Sequence, residues 1–146
     1  MPTAGRLAGA IIFALFGWYM AGISVPFFPN EIAPDYWLPV SSFISLLIGW
    51  RVCGTRAGRG YRDAIGIGLT AAAAMAFCLI FALAFNRMID NAMRMRYDGV
   101  MDAVANIFYE MLEFSAYFFD LQLILTLLVG GVVCAWITEY FGKNFP

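Results

Sequence analysis

The sequence contains no histidine, and its three cysteines are isolated from one another. Histidine is the commonest general base, a frequent zinc ligand and the usual axial ligand of haem, so its absence removes most arrangements for catalysis and for metal binding. Cys53, Cys78 and Cys134 lack the paired spacing of a disulfide framework or a metal site, and we expect small buried apolar residues. The sequence therefore predicts a protein that is not an enzyme and that holds no metal or cofactor through its own side chains.

Charge is also scarce. Charged residues make up 13% of the chain and hydrophobic residues 62%, against about 25% and about 45–50% in soluble proteins. A soluble domain of this size has too little polar surface to cover so many apolar side chains, so the composition indicates an integral membrane protein. No basic tail or basic helix face indicates a nucleic-acid partner.

Four apolar stretches predict transmembrane helices at residues 7–25, 38–53, 64–86 and 121–138. The first is longer than the apolar region of a signal peptide and no A-x-A cleavage site follows it, so we expect it to be retained. The second is short, at ~24 Å, and needs Arg51 to reach the headgroups. Small residues that favour close helix packing occur in the first, third and fourth spans. These are Gly5, Gly9, Gly17, Gly22, Gly68, Ala72, Ala76, Gly130 and Gly131.

The connection at residues 26–37 is rich in proline and aromatic residues, which predicts a stiff loop at the membrane interface. We interpret it as a rigid link between helices, and a docking surface for a partner is the alternative. Rigid aromatic side chains make good anchors in protein interfaces, and a second apolar stripe follows later in the chain. The partner-contact candidates are Phe27, Phe28, Trp37, Met111, Phe114 and Phe118.

The connection at residues 54–63 forms a basic, glycine-rich loop. Together with the preceding Arg51 it carries Arg56, Arg59 and Arg62, and no acid lies between the first and last of these arginines. The pattern is typical of a cytoplasmic loop under the positive-inside rule. Binding of anionic lipid headgroups and a dedicated oxyanion site are the alternatives; the Walker and dinucleotide patterns of phosphate loops are absent.

Residues 87–120 alternate polar and apolar positions at helical spacing around a Tyr97–Asp98–Gly99 turn, which predicts an amphipathic helical hairpin. If two antiparallel helices meet at this turn, residues whose numbers sum to about 196 or 197 lie at the same height along the hairpin. Arg87 then lies opposite Glu110, and Arg94 lies opposite Asp102, so we predict these two ion pairs. Glu110, Glu113 and Asp120 share one helix face. We expect a solvated or salt-bridged face, with a proton or metal role as the alternative.

The distribution of positively charged residues between the two sides of the membrane predicts the orientation of the protein. Four crossings with a cytoplasmic N-terminus place Arg6, Arg51, Arg56, Arg59, Arg62 and Lys143 inside, and Arg87, Arg94 and Arg96 outside. This bias favours cytoplasmic N- and C-termini and a periplasmic hairpin. The sequence thus predicts one all-α membrane domain with four transmembrane helices and an extended amphipathic periplasmic hairpin between helices 3 and 4.

Several segments resemble the TrgA-like family, small integral membrane proteins of alphaproteobacteria that are named for an association with tellurite resistance. The resemblance rests on MPTAGRL at the start, GWRVCGTRAGRG at residues 49–60, RYDG at 96–99 and LLVGG at 127–131, and it covers nearly the whole chain. It implies a location in the bacterial inner membrane and supplies no catalytic residues.

The resemblance also implies bacteria whose membranes are rich in respiratory and photosynthetic complexes. A small chain with no histidine and short loops is typical of a subunit of a larger assembly. We therefore expect a non-catalytic accessory subunit of an electron-transfer complex, in particular a photosynthetic reaction centre with its light-harvesting antenna. Its role there would be structural, stabilising or partner-docking. Lipid, quinone or pigments would then belong to the host complex, with anionic lipids as further partners. The alternative is a tellurite-resistance protein that handles or exports an oxyanion.

Overall fold

A computed structural model describes residues 4–28 and 33–144. Within these ranges the regular structure is entirely helical and contains no strand, which confirms the predicted all-α class. The α-helices of the described residues are α1 (Ala4–Ser24), α2 (Trp37–Ile48), α3 (Tyr61–Met93), α4 (Val100–Tyr117) and α5 (Leu121–Asn144). A 3-10 turn, Val25–Phe27, follows α1, and a π-helical segment, Gly49–Cys53, extends α2. Residues 29–32, the centre of the predicted proline-rich loop, lie outside the described residues.

In the part of the chain that the structure describes, three helical segments are long and apolar enough to cross a membrane: Ala4–Phe27, Tyr61–Met93 and Leu121–Asn144. The helical stretch Trp37–Cys53 is apolar but shorter. These segments support a membrane protein, in agreement with the composition. Each predicted transmembrane stretch lies almost wholly within one of these four helical segments.

The helices α1 and α2 pack antiparallel, with their backbones in close contact. A Cβ atom on Gly9 would lie 2.9 Å from the carbonyl oxygen of Gly49, and one on Gly17 would overlap the side chain of Ser45. Only residues without a side chain allow this approach, as at the small-residue crossings of membrane helices. The predicted packing role is confirmed for Gly5, Gly9 and Gly17, whereas Gly22 faces open space.

The helix α5 packs between α1 and α3. A Cβ on Gly68 would lie 2.7 Å from the carbonyl oxygen of Gly131, and one on Gly131 would lie 3.0 Å from Cβ of Ala72. On the other side, the ring of Phe16 occupies the space beside Gly130. The glycine pair in α5 therefore allows it to contact both neighbours at the same level.

The helix α3 is the longest element, with 33 residues and a length of ~50 Å. It passes without a break from the predicted span into the predicted hairpin, and α4 folds back along it. The connection occupies residues 94–99, longer than the predicted turn, and includes Met95 in the left-handed region at φ 51°. The helix α4 ends at Tyr117, and Asp120 Oδ1 then accepts the backbone N–H of Gln122 at 2.9 Å, capping the start of α5.

Buried side chains form two clusters along the bundle. The first joins α1, α2, α3 and α5, with Phe13 and Met75 fully buried at its centre. The second lies where α4 meets the bundle and contains Phe28, Trp37 and Phe114. The second cluster fixes the position of the α3–α4 hairpin relative to the other helices.

Candidate functional site

The basic loop, predicted at residues 54–63, ends at residue 60 because α3 begins at Tyr61. One buried carboxylate from α5 holds this loop. Glu139 is 2% exposed. Its Oε2 accepts the backbone N–H of Gly58 at 2.7 Å, and its Oε1 accepts that of Gly60 at 2.6 Å. Hydrogen bonds to an ionised carboxylate are about twice as strong as neutral ones. We call this arrangement of Glu139, Gly58 and Gly60 the carboxylate clasp.

The two glycines of the carboxylate clasp adopt a backbone that other residues avoid. Gly58 has φ 96° and Gly60 has φ 129°, and residues with a Cβ are strained in this region. The turns point both N–H groups toward α5. The glycines of the basic loop are therefore required by the geometry that Glu139 recognises.

A cation and two aromatic residues close the same end of the bundle. Lys143 Nζ lies 3.9 Å from Glu139 Oε1 and 4.5 Å from the ring centre of Tyr61. Trp136 Nε1 donates to the backbone carbonyl of Tyr61 at 3.2 Å. These contacts fix the end of α5 to the first turn of α3, directly after the basic loop.

Three of the four predicted lipid- or anion-binding arginines come together. Arg56, Arg59 and Arg62 line an open cleft of about 410 Å³ that also includes Asp63 and Thr70. Within residues 4–28 and 33–144, none of these arginines has an acidic side chain within 4.0 Å. Arg51 lies outside the cleft, in the π-helical segment. The cleft therefore carries three positive charges against one negative charge, a composition that favours an anion.

At the other end of the bundle, the predicted ion pair between α3 and α4 is present. Arg87 Nε lies 3.3 Å from Glu110 Oε2; the side chains are 44% and 8% exposed, respectively. No group among the described residues donates a hydrogen bond to this oxygen, so charge attraction joins the two side chains. The Arg87 guanidinium also lies 5.4 Å from the ring centre of Phe114, within the range of a cation–π contact.

The second predicted ion pair, Arg94–Asp102, does not form. The reason is that α3 ends at Met93, so Arg94 already belongs to the turn. Met95 then reverses the chain, and the Tyr97 hydroxyl instead accepts a hydrogen bond from Asn106 Nδ2 at 2.6 Å. Both Arg94 and Asp102 are exposed, and an exposed pair would gain only about 0–1 kcal/mol.

The acidic face of α4 does not form one site. Glu110 pairs with Arg87, Glu113 Oε1 accepts the hydroxyl of Tyr117 at 3.4 Å, and Asp120 caps α5. No group of three or more potential metal ligands occurs in the part of the chain that the structure describes. Each acid thus has a separate local partner.

A polar cavity of about 260 Å³ lies beside the Arg87–Glu110 pair. Tyr36, Asn86, Arg87 and Asp90 line it together with apolar residues. The Tyr36 hydroxyl donates to Asn86 Oδ1 at 2.7 Å. Burial raises the pKa of Tyr36, and the negative charge of Asp90 raises it further. These contacts attach the residues before α2 to the outer part of α3.

Most of the predicted partner-contact residues pack inside the chain. Phe28, Trp37 and Phe114 are buried, and Phe27, Met111 and Phe118 are half-buried. The ring of Phe118 stacks on Trp37 at 6.3 Å and meets Phe28 edge-on at 5.2 Å. The contacts of Phe28, Trp37 and Phe118 hold α4 to the bundle, and the partner surface at the six residues stays a prediction.

Glu139, the residue that organises the basic loop, was not predicted from the sequence. A signal was available, since a carboxylate at the end of an apolar helix is costly unless it has a specific partner.

Comparisons with protein-family models, with curated proteins and with solved structures find no match to this chain.

Proposed function

We propose that the protein crosses the inner membrane of a bacterium four times, with both termini in the cytoplasm and the α3–α4 hairpin in the periplasm. Support comes from the position of the positive residues. Gly5, Ala57 and Gly142 approach one another, so the start of α1, the basic loop and the end of α5 lie at one end of the bundle. This end carries most of the arginines and Lys143, as the positive-inside rule requires of the cytoplasmic side.

The fourth crossing in this proposal is the helical stretch Trp37–Cys53. Its 17 residues give a length of ~25 Å, slightly less than the hydrocarbon thickness of about 30 Å. Arg51 is exposed near its end and can extend the crossing by reaching the headgroups. The basic loop then follows in the cytoplasm.

Orientation is tested by changing the four arginines of the Arg51–Arg62 segment. Replacing all four with Gln should yield a mixture of orientations, whereas replacing all four with Lys should preserve orientation, because the rule counts positive charge. The measurement is labelling of a single cysteine, introduced at position 97, by a membrane-impermeant thiol reagent in intact and opened cells, after the native cysteines are changed to Ser. An unchanged orientation in the Gln variant would contradict the proposal.

We further propose that the protein is a non-catalytic accessory subunit of a larger membrane complex. The observation that carries this proposal is the exposed apolar tip of the hairpin, formed by Met93, Met95, Val100 and Met101. These side chains are 78%, 93%, 83% and 80% exposed, respectively. They lie among Arg94, Arg96 and other charged residues, in a region suited to water and headgroups rather than hydrocarbon, so their exposure favours coverage by a partner protein.

The host that we propose is a bacterial electron-transfer complex, first of all a photosynthetic reaction centre with its light-harvesting antenna. This choice rests on the sequence resemblance and on the small, histidine-free chain. The experiment is purification of the tagged protein in mild detergent, followed by identification of stoichiometric partners. Changing Met95 and Met101 to Glu should remove the partner, and changing the same residues to Leu should retain it. Retention by the Glu variant would show that the hairpin tip is not the contact.

A second candidate function is handling of an oxyanion such as tellurite or phosphate, favoured by the cleft of Arg56, Arg59 and Arg62. The guanidinium group binds a planar pair of oxygens in a way that Lys does not reproduce. If this function applies, vesicles containing the purified protein alone should take up the anion. A Lys variant with normal orientation should then lose this uptake. Vesicles without uptake leave the accessory-subunit proposal in place.

A further inference from the structure

An apolar cavity of about 280 Å³ lies among α1, α3, α4 and α5, on the hairpin side of the bundle. Its walls include Met20, Trp37, Ala76, Leu79, Phe118 and Leu127. None of the proposed functions uses this cavity. Its volume is nearly that of small ligand pockets, which begin at about 300 Å³.

The cavity offers no free polar group to a ligand or to water. Ser24 Oγ donates to the carbonyl of Ala21 at 2.8 Å and accepts Trp37 Nε1 at 2.9 Å. Ser115 Oγ donates to the carbonyl of Leu112 at 2.7 Å. An apolar cavity of about 150 Å³ in a soluble protein stays dry and binds apolar molecules. Water is therefore a poor occupant here, and a hydrocarbon is a good one.

The cavity is also accessible from the membrane. Residues 76–80 of its wall belong to the apolar stretch of α3, and residues 123–127 belong to that of α5. The cavity is partly open, and Phe119, one of its lining residues, is 79% exposed. Trp37 borders the cavity and is itself only 3% exposed, so a molecule in the cavity lies close to its ring, whereas lipid outside the bundle is held further away.

We propose that this cavity binds a single hydrocarbon chain from the membrane. Acyl chains of phospholipids and prenyl chains of isoprenoid lipids share the required chemistry: they are long, flexible and without polar groups. The half-buried ring of Phe118 forms part of the chain's binding surface, and Trp37 stacks on this ring. The inference is independent of the proposed host complex, because it concerns only the lipid solvent and this chain.

The test measures fluorescence of Trp37 in lipid nanodiscs, with Trp18, Trp50 and Trp136 changed to Phe. Bromine on an acyl chain quenches tryptophan over a short distance, so a lipid with brominated acyl chains probes the acyl source. A prenylquinone added to unbrominated lipid probes the prenyl source. We expect strong quenching by at least one probe, and the identity of that probe distinguishes the two sources.

The variant Ala76→Phe fills the cavity and should reduce the quenching at least twofold. The matched control is Ala73→Phe, an identical change on the same helix at an exposed position outside the cavity. Should Ala76→Phe fail to fold, the smaller Ala76→Leu, with Ala73→Leu as its control, takes its place. Absence of quenching by both probes, or quenching unaffected by the change at Ala76, would overturn the proposal.

Discussion

The carboxylate clasp gives the sharpest prediction, because one side chain holds the basic loop through two backbone N–H groups. A hydrogen bond to a charged group contributes about 1.5–3 kcal/mol. Changing Glu139 to Ala removes two such bonds to Gly58 and Gly60. Part of this loss is offset, because water can solvate the opened loop and because the cost of burying the Glu139 charge is removed. We therefore expect the free energy of opening the basic loop to fall by about 2–4 kcal/mol.

This change in free energy predicts faster proteolysis of the basic loop. Arg56, Arg59 and Arg62 are exposed trypsin sites in or beside the basic loop, and cleavage tracks the population of the opened loop when opening and closing are fast. Since about 1.4 kcal/mol corresponds to a factor of ten, Glu139→Ala should accelerate cleavage there by about 30-fold to about 700-fold. The local readout matters because removing a buried charge can leave global stability unchanged.

The control is Glu113→Ala, which removes an acid whose partner is a half-exposed tyrosine hydroxyl at 3.4 Å. This change should leave cleavage after Arg56, Arg59 and Arg62 unchanged. Glu139→Gln should fall between wild type and Glu139→Ala, because its amide supplies one acceptor but directs a donor at the second N–H. Equal cleavage in wild type and Glu139→Ala would refute the reasoning.

Three further predictions follow from packing, charge and titration. Gly68→Ala should lower the free energy of unfolding in detergent by about 1–3 kcal/mol through overpacking against α5, whereas Gly66→Ala, with open space around its Cβ, should raise it by about 0.5–1 kcal/mol. Arg87→Ala should lower the free energy of unfolding by about 1–3 kcal/mol because it leaves a buried carboxylate unpaired. Arg94→Ala should change the free energy of unfolding by less than about 0.5 kcal/mol. Chemical denaturation measures both effects. The raised pKa of Tyr36 means that its neutral form is favoured in the folded state. Its contribution to the stability of the fold is therefore complete below the ordinary pKa of 10.0 and is lost as the pH rises through the folded-state pKa. Tyr36→Phe should therefore reduce the alkaline loss of stability, and an unchanged loss would contradict the assignment.

The register of the α3–α4 hairpin could be predicted from the sequence over the residues that are helical in both α3 and α4. Equal rise per residue in two antiparallel helices places Arg87 opposite Glu110, and the structure contains that ion pair. The same arithmetic failed for Arg94 and Asp102, because helical geometry ends at Met93. A sequence pattern does not show where an exposed helix end unwinds, since the energies involved are small.

The role of the aromatic residues could not be predicted from their type. An aromatic side chain near a membrane interface suits lipid, a partner protein or a neighbouring helix equally well. Phe28, Trp37 and Phe118 make their contacts with one another, across segments far apart in the chain. Glu139 was missed for a related reason: its partners are backbone N–H groups of Gly58 and Gly60, about 80 residues away.

The role that we propose for the protein is that of a non-catalytic accessory subunit held by the exposed tip of its hairpin. The most direct measurement is the partner stoichiometry of the tagged protein purified from its native membrane in mild detergent. We predict one copy per complex of a pigment- or haem-containing assembly, retained when Met95 and Met101 are changed to Leu and lost when both are changed to Glu. Recovery of the wild-type protein alone, together with oxyanion uptake by vesicles that contain only this protein, would contradict the claim.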